Sequence, residues 1–150
     1  MTKLVRSEVS RGDEPAYFYE LLRLANILVK KCDAVLGDNL GLSFSSAQAL
    51  MFLSSYESST QADIATALGV TPAVITRHIT SFMQRKLASG VQNQANRRQN
   101  TIQITAKGRE LAERAEKLIQ AVAKPVGNAL DDTARHILER SLAKILEKTK

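Results

Sequence analysis

The chain has 150 residues, with 21 Lys plus Arg against 15 Asp plus Glu and a formal net charge of +6. A hydrophobic share of 44% is enough to bury a core and excludes a disordered chain. The single cysteine excludes an intramolecular disulfide and a Cys-based zinc site, the start MTKLVRSEVSRGDEP lacks the apolar segment of a secretory signal, and no apolar run approaches the ~18–20 residues of a membrane span, so a single-domain cytoplasmic protein over 1–150 is expected.

Residues 14–36 read EPAYFYELLRLANILVKKCDAVL, with apolar positions at Phe18, Leu21, Leu22, Ala25, Leu28, Val29, Cys32, Val35 and Leu36. This is helical spacing, with an apolar stripe wider than the flank of one small domain requires. GDNLG at 37–41 predicts the end of that helix. A second helix is predicted over 45–55, where Ser45 and Gln48 have capping-box spacing and Ala49, Leu50, Phe52 and Leu53 form the buried side. A short third helix follows, with Thr60 as N-cap, Asp63 near its positive end, Ile64, Ala65 and Leu68 inward, and Gly69 placed to end it in the left-handed conformation. Thr71 then caps a fourth helix whose first position suits Pro72, because no amide hydrogen is needed there. That helix runs to about Arg85 with Ile75, Ile79 and Phe82 on one face.

The stretch LASGVQNQANRRQNTIQIT changes the period. Two β-like runs, 88–93 and 101–105, flank a polar turn that carries Arg97 and Arg98, which predicts a hairpin. Thr105 caps a long helix to about residue 123, and Pro125 and Gly127 are expected to break it. Residues 130–148 form a last amphipathic helix. The predicted fold is mainly α with a small β-hairpin wing: a winged helix-turn-helix over 42–105.

The charge is concentrated in this unit. Residues 1–63 sum to −2, residues 64–109 to +7 and residues 110–150 to +1, and the middle stretch contains no Asp or Glu at all. A basic field this local points to nucleic acid. The second helix of such a pair enters the major groove with its N-terminal residues at base edges. Thr71, Ala73, Val74, Thr76 and Arg77 lie off the Ile75/Ile79/Phe82 face and can point outward together. Arg77 can fork onto guanine O6 and N7, and Thr76 and Val74 can touch a thymine methyl. Ser45, Ser46, Gln61, Arg85 and Lys86 are candidate phosphate contacts, which set register without reading sequence. Arg97 at the wing tip, beside Arg98, can enter the minor groove.

From about Leu42 to Glu110 the chain resembles the MarR family of regulators. The stretches that carry the likeness are TQADIATALGVTPAVITRHITSFMQRKL, the wing ANRRQNTIQIT and the following TAKGRE. The resemblance implies a homodimer in which helices 14–36 and 106–148 intertwine as the dimerisation region, which accounts for the wide stripe on the first helix. It also implies a DNA-binding transcriptional regulator on a pseudo-palindromic operator, a repressor released by a small aromatic or phenolic ligand. Three positions depart from the family pattern. Asn96 replaces the acid before the wing arginine, so a neutral hydrogen bond stands in place of an ion pair. Lys86 replaces a glycine, and Gly90 an arginine. Arg97→Ala is expected to weaken DNA binding and lower its salt slope by about 1.

Two further features carry paired readings. Six of the seven aromatic residues precede residue 57. Tyr17, Phe18, Phe44, Phe52 and Tyr56, with Arg23 as a cation, form either ordinary packing or a pocket for an aromatic acid. Cys32 is either a small buried hydrophobe or a redox-sensing thiol helped by Lys30 and Lys31. A ligand-independent DNA-binding protein is the remaining alternative. No catalytic constellation, cofactor motif or metal-ligand cluster is visible, so an enzyme is not expected.

Overall fold

In the computed structural model, which describes residues 16–56, 58–92 and 100–149, six helices and one hairpin follow in order. They are α1 (Ala16–Leu40), α2 (Phe44–Ser55), α3 (Gln61–Leu68), α4 (Pro72–Gln84), β1 (Ala88–Gln92), β2 (Asn100–Ile104), α5 (Ala106–Asn128) and α6 (Asp132–Thr149). This is the expected winged helix-turn-helix between terminal helices.

Branched and aromatic side chains draw the middle elements together. Leu50 and Leu53 of α2, Ile64 of α3, and Ile75, Ile79 and Phe82 of α4 are all at most 2% exposed. Burial of side chains this size contributes roughly 1.5–3 kcal/mol each. Leu36 and Leu40 join the cluster from the end of α1, and Ala112 and Ala115 from α5, which lies against α1 and α2. The small alanines let the α5 backbone come close.

The hairpin is antiparallel, with Ala88 opposite Ile104 and Gly90 opposite Ile102. Ser59, in the α2–α3 connection, pairs with its far side. The Ser59 amide donates to the Ile102 carbonyl at 3.1 Å, and the Ile102 amide donates back at 2.8 Å. The buried Ile102 side chain and this bridge fix the base of the wing to the body. Gly108 does the same from α5: a Cβ there would run into the Leu87 carbonyl and the Ile104 side chain, so only glycine permits this approach.

The outer parts differ. No residue of α6 is buried. Phe18, Leu22, Leu24, Ile27 and Val29 on α1, and Ile137, Leu138, Ile145 and Leu146 on α6, are exposed apolar side chains. No described helix is long and apolar enough to cross a membrane.

Four local expectations fail. α1 does not stop at Gly37 but continues to Leu40, because Leu40 reaches the core and the Asn39 amide bonds back to the Val35 carbonyl at 2.8 Å. The turn comes at Gly41, with φ +62°. The cap of α2 is Ser43, whose hydroxyl accepts from the Ser46 amide at 3.1 Å, so Ser45 and Gln48 form no capping box. Thr71 occupies the N-cap position of α4 without a side-chain bond, Pro72 having already removed one donor that needs a cap. Finally, α5 runs through Pro125 to Asn128. Pro125 removes only the bond to the Ala121 carbonyl, and Ala121 faces solvent. Thr60 and Thr105 do cap their helices. Thr60 exchanges a full capping box with Asp63, and the Thr105 hydroxyl accepts from the Gly108 amide.

Candidate nucleic-acid interface

Gly69 makes the turn between α3 and α4. It is left-handed at φ +63°, and its amide and that of Val70 satisfy the last carbonyls of α3. With Ile75, Ile79 and Phe82 facing the core, helical geometry places Ala73, Thr76, Arg77, Thr80 and Gln84 on the opposite side, and all five are exposed. Two bonds orient the front of α4. The Thr76 hydroxyl donates to Gln61 Oε1 at 2.7 Å, and Ser45 Oγ lies 3.0 Å from His78 Nε2. Burial, with Arg77 second, holds the His78 imidazole below its ordinary pKa, so it is neutral at neutral pH.

The structure sorts the sequence candidates. Thr71, Ala73, Thr76 and Arg77 are exposed together at the front of α4. Arg77 has no hydrogen bond or ion pair among the described residues, which leaves its fork open. Val74 is half-buried on the flank of the helix rather than on the outward stripe. Gln61 and Ser45 are half-buried at the edge of the same surface, each bonded to α4 as above. Ser46 is a correction: it is 7% exposed and belongs to the core layer of α2, because capping by Ser43 turns that position inward. Thr80 and Gln84 were not among the candidates, although they continue the Ala73–Arg77 stripe at helical spacing. The three- and four-residue period would have found them.

Arg85 is a second correction. Its guanidinium does not point out toward a phosphate. Nη2 donates to the Leu40 carbonyl at 2.9 Å and Nη1 to the Gly41 carbonyl at 3.2 Å, at the end of α1. Lys86 is exposed and left-handed, with φ 58°, at the position where the resembled family has glycine. That conformation costs a non-glycine residue about 1 kcal/mol. Arg97, Arg98 and Asn96 lie outside the described residues.

The six residues of the aromatic pocket do not converge within one chain. Tyr17 and Phe18 sit at the start of α1, whereas Phe44 is bonded by its amide to Asp33 Oδ1 at 2.6 Å. Tyr17 and Asp33 are separated by roughly 24 Å along the helix axis. Phe52 and Tyr56 pair with each other at 4.6 Å between ring centroids, and Arg23 lies 3.9 Å from Glu20. Among the described residues an apolar cleft of about 580 Å3 lies between α1 and α6 and includes Tyr17, Leu21, Leu24, Leu138, Leu142 and Ile145. Cys32 is buried, and burial, then Asp33, pushes its thiol pKa up, against a reactive thiolate.

Comparison with known proteins agrees with this architecture. Residues 40–99 match the sequence model of the MarR family. No curated protein matches the chain significantly in sequence. Among solved structures, the DNA complex of MepR from Staphylococcus aureus superposes with a TM-score of 0.81 at 20% identity, covering 90% of this chain and 99% of that one. CouR from Rhodococcus jostii RHA1, bound to p-coumaroyl-CoA, gives 0.79 at 21% identity over 91% and 95%. The regulator BldR from Sulfolobus solfataricus gives 0.78 at 20% identity over 88% and 93%. Residues 40–99 thus match the model of the MarR family, and the chain as a whole shares the fold of these solved structures.

Proposed function

We propose that the chain is a sequence-specific DNA-binding transcriptional regulator that acts as a homodimer, with α4 in the major groove. The observation that carries this reading is the outward stripe of α4, with an unpaired Arg77 inside a segment free of carboxylates, supported from behind by fully buried side chains. Arg77 is the leading base-reading candidate, by the forked geometry that suits guanine, with Ala73 and Thr76 beside it at the front of α4. Gln61, Thr71 and Lys86 take phosphates, and Arg97 and Arg98 of the wing reach the neighbouring groove. The MepR complex with DNA supports this assignment by likeness of fold.

The dimer rests on the exposed apolar side chains of α1 and α6, which a second copy would cover. Such a dimer reads two half-sites about one turn apart. We further propose that it represses, and that an aromatic or phenolic effector releases it. In the proposed dimer the cleft between α1 and α6 lies at the seam between the copies, and there Tyr17, Glu20 and Lys144 would offer an effector polar groups on an apolar lining. The CouR complex is a ligand-bound protein of the same fold, which supports an effector here. Nothing favours the thiol alternative, because Cys32 is buried and its thiolate disfavoured.

The test is selection of binding sites from a random duplex pool, followed by titration at several salt concentrations. Enrichment of a dyad is expected. Arg77→Ala should cost about 1–3 kcal/mol on the selected site and relax preference at one base pair. A wild-type chain that enriches no sequence overturns the reading.

A further inference from the structure

We propose that Arg85 is a positioning residue that ties the rear of α4 to the end of α1, so that the arm helix sets the pitch of the reading helix. The proposal rests on the DNA-binding reading above. A helix end leaves carbonyls without internal partners, and a cation there is favourable. The last turn of α1 has no basic residue of its own. Arg85, at the C-cap of α4, supplies the missing cation from across the chain through the 2.9 and 3.2 Å bonds to Leu40 and Gly41. The same junction is held from the other side, where Lys107 Nζ donates to the Arg85 carbonyl at 3.1 Å and Thr105 Oγ1 to the Lys86 carbonyl at 2.9 Å. Ends of α1 and α4 and the start of α5 therefore meet at one residue.

The front of α4 is fixed differently. Its bonds, Thr76 to Gln61 and His78 to Ser45, reach α3 and α2. Only the rear bonds reach the arm. A helix of this length is about 20 Å long, so a slip of about 2 Å at the rear tilts it by roughly 6°. Tilt of that kind misplaces base-reading side chains without removing any cation from the surface. The two bonds come from two nitrogens held apart by the planar guanidinium, whereas a lysine at this position is shorter and presents all its donors at one nitrogen, so it does not reproduce the pair.

Arg85→Lys and Arg85→Met separate this role from the phosphate contact expected of the sequence. The probe is the duplex selected by the wild-type chain, together with versions whose half-site spacing is changed by one base pair. Both variants should lose about tenfold or more in affinity for the selected duplex and lose discrimination between spacings. Their salt slopes and their affinity for a scrambled duplex should stay at the wild-type values. Hydrogen exchange on the free protein should show faster exchange at the α4 C-terminus and the α1 end in both. Arg85→Lys binding like wild type, with Arg85→Met lowering the salt slope by about 1, would mean a phosphate contact and overturn the proposal. Unchanged spacing preference in both variants also overturns it, even if their thermal stability falls. If the wild-type chain enriches no duplex, the DNA reading fails and the positioning role falls with it, whereas enrichment with unaltered variants defeats the positioning role alone.

Discussion

The reading unit and the arms of this molecule solve opposite problems with the same kind of helix. From α2 to β2 most large apolar side chains are used up inside one chain: Phe82, Ile64 and Leu50 have no exposed surface, and from Ile64 onward the unit contains no carboxylate. In the first half of α1 and all of α6 the apolar side chains are left outside, Leu146 being 61% exposed, and the net charge is close to balance. Under the proposed function, a unit that meets a polyanion keeps its charge and hides its oil, whereas an arm that meets its own copy shows its oil and avoids a large like charge.

The sharpest way to break that comparison is to truncate one apolar residue on each side. Phe82→Ala should cost about 3–5 kcal/mol at any protein concentration, read by denaturant unfolding. Leu146→Ala should cost under about 0.5 kcal/mol in an isolated chain. In a paired one it should instead make the unfolding midpoint depend more steeply on protein concentration. Equal, concentration-independent losses would erase the distinction between core and arm. Gly108→Ala comes next, at about 1–3 kcal/mol, because the added methyl meets the Leu87 carbonyl. Weaker amide protection of Ile102 should accompany it, since the wing base would have to shift.

Lys86→Gly should act in the other direction. Relief of the left-handed backbone should raise stability by about 1 kcal/mol, while one cation is lost from the surface proposed to meet DNA. A melting temperature that rises together with a weaker binding constant would show that the charge at this position is kept at the expense of the backbone. The smallest effect concerns pH. The folded chain holds His78 below its ordinary pKa, whereas the unfolded chain accepts a proton near pH 6.5, so the unfolded state binds more protons between the two values. The stability contributed by neutral His78 is therefore full above about pH 6.5 and is lost as pH falls toward the lowered value. His78→Gln should flatten the fall in melting temperature between about pH 7.5 and about pH 5.

Much of the reading unit was legible because its local signals coincide with its global ones. The threonine caps at 60 and 105, the left-handed Gly69, Pro72 at a first helical position and the isoleucine spacing of α4 each act within a few residues. Apart from the cap of α2, what was missed depends on partners distant in sequence. Ser46 is buried because Ser43, not Ser45, starts α2. Arg85 is spent on α1, 44 and 45 positions earlier. α1 outlasts Gly37 because Leu40 has a core to enter. Ser59 pairs with Ile102 although nothing in its neighbours suggests a strand. The aromatic residues counted together before residue 57 fall into two groups, one at the start of α1 and one on α2 and its C-cap, and a count along the chain carries no information about the helix length between them.

Ala73 and Arg77 share a property beyond being exposed: neither packs in the core, and no side-chain hydrogen bond holds either among the described residues. The sequence at these two positions is therefore coupled to the folding of the chain only weakly, through the effect of Arg77 on His78. Under the proposed function, such a protein can be re-addressed. Substitutions there would change which operator is chosen while the melting temperature stays where it is, so new binding preferences could accumulate by single steps without passing through an unstable intermediate.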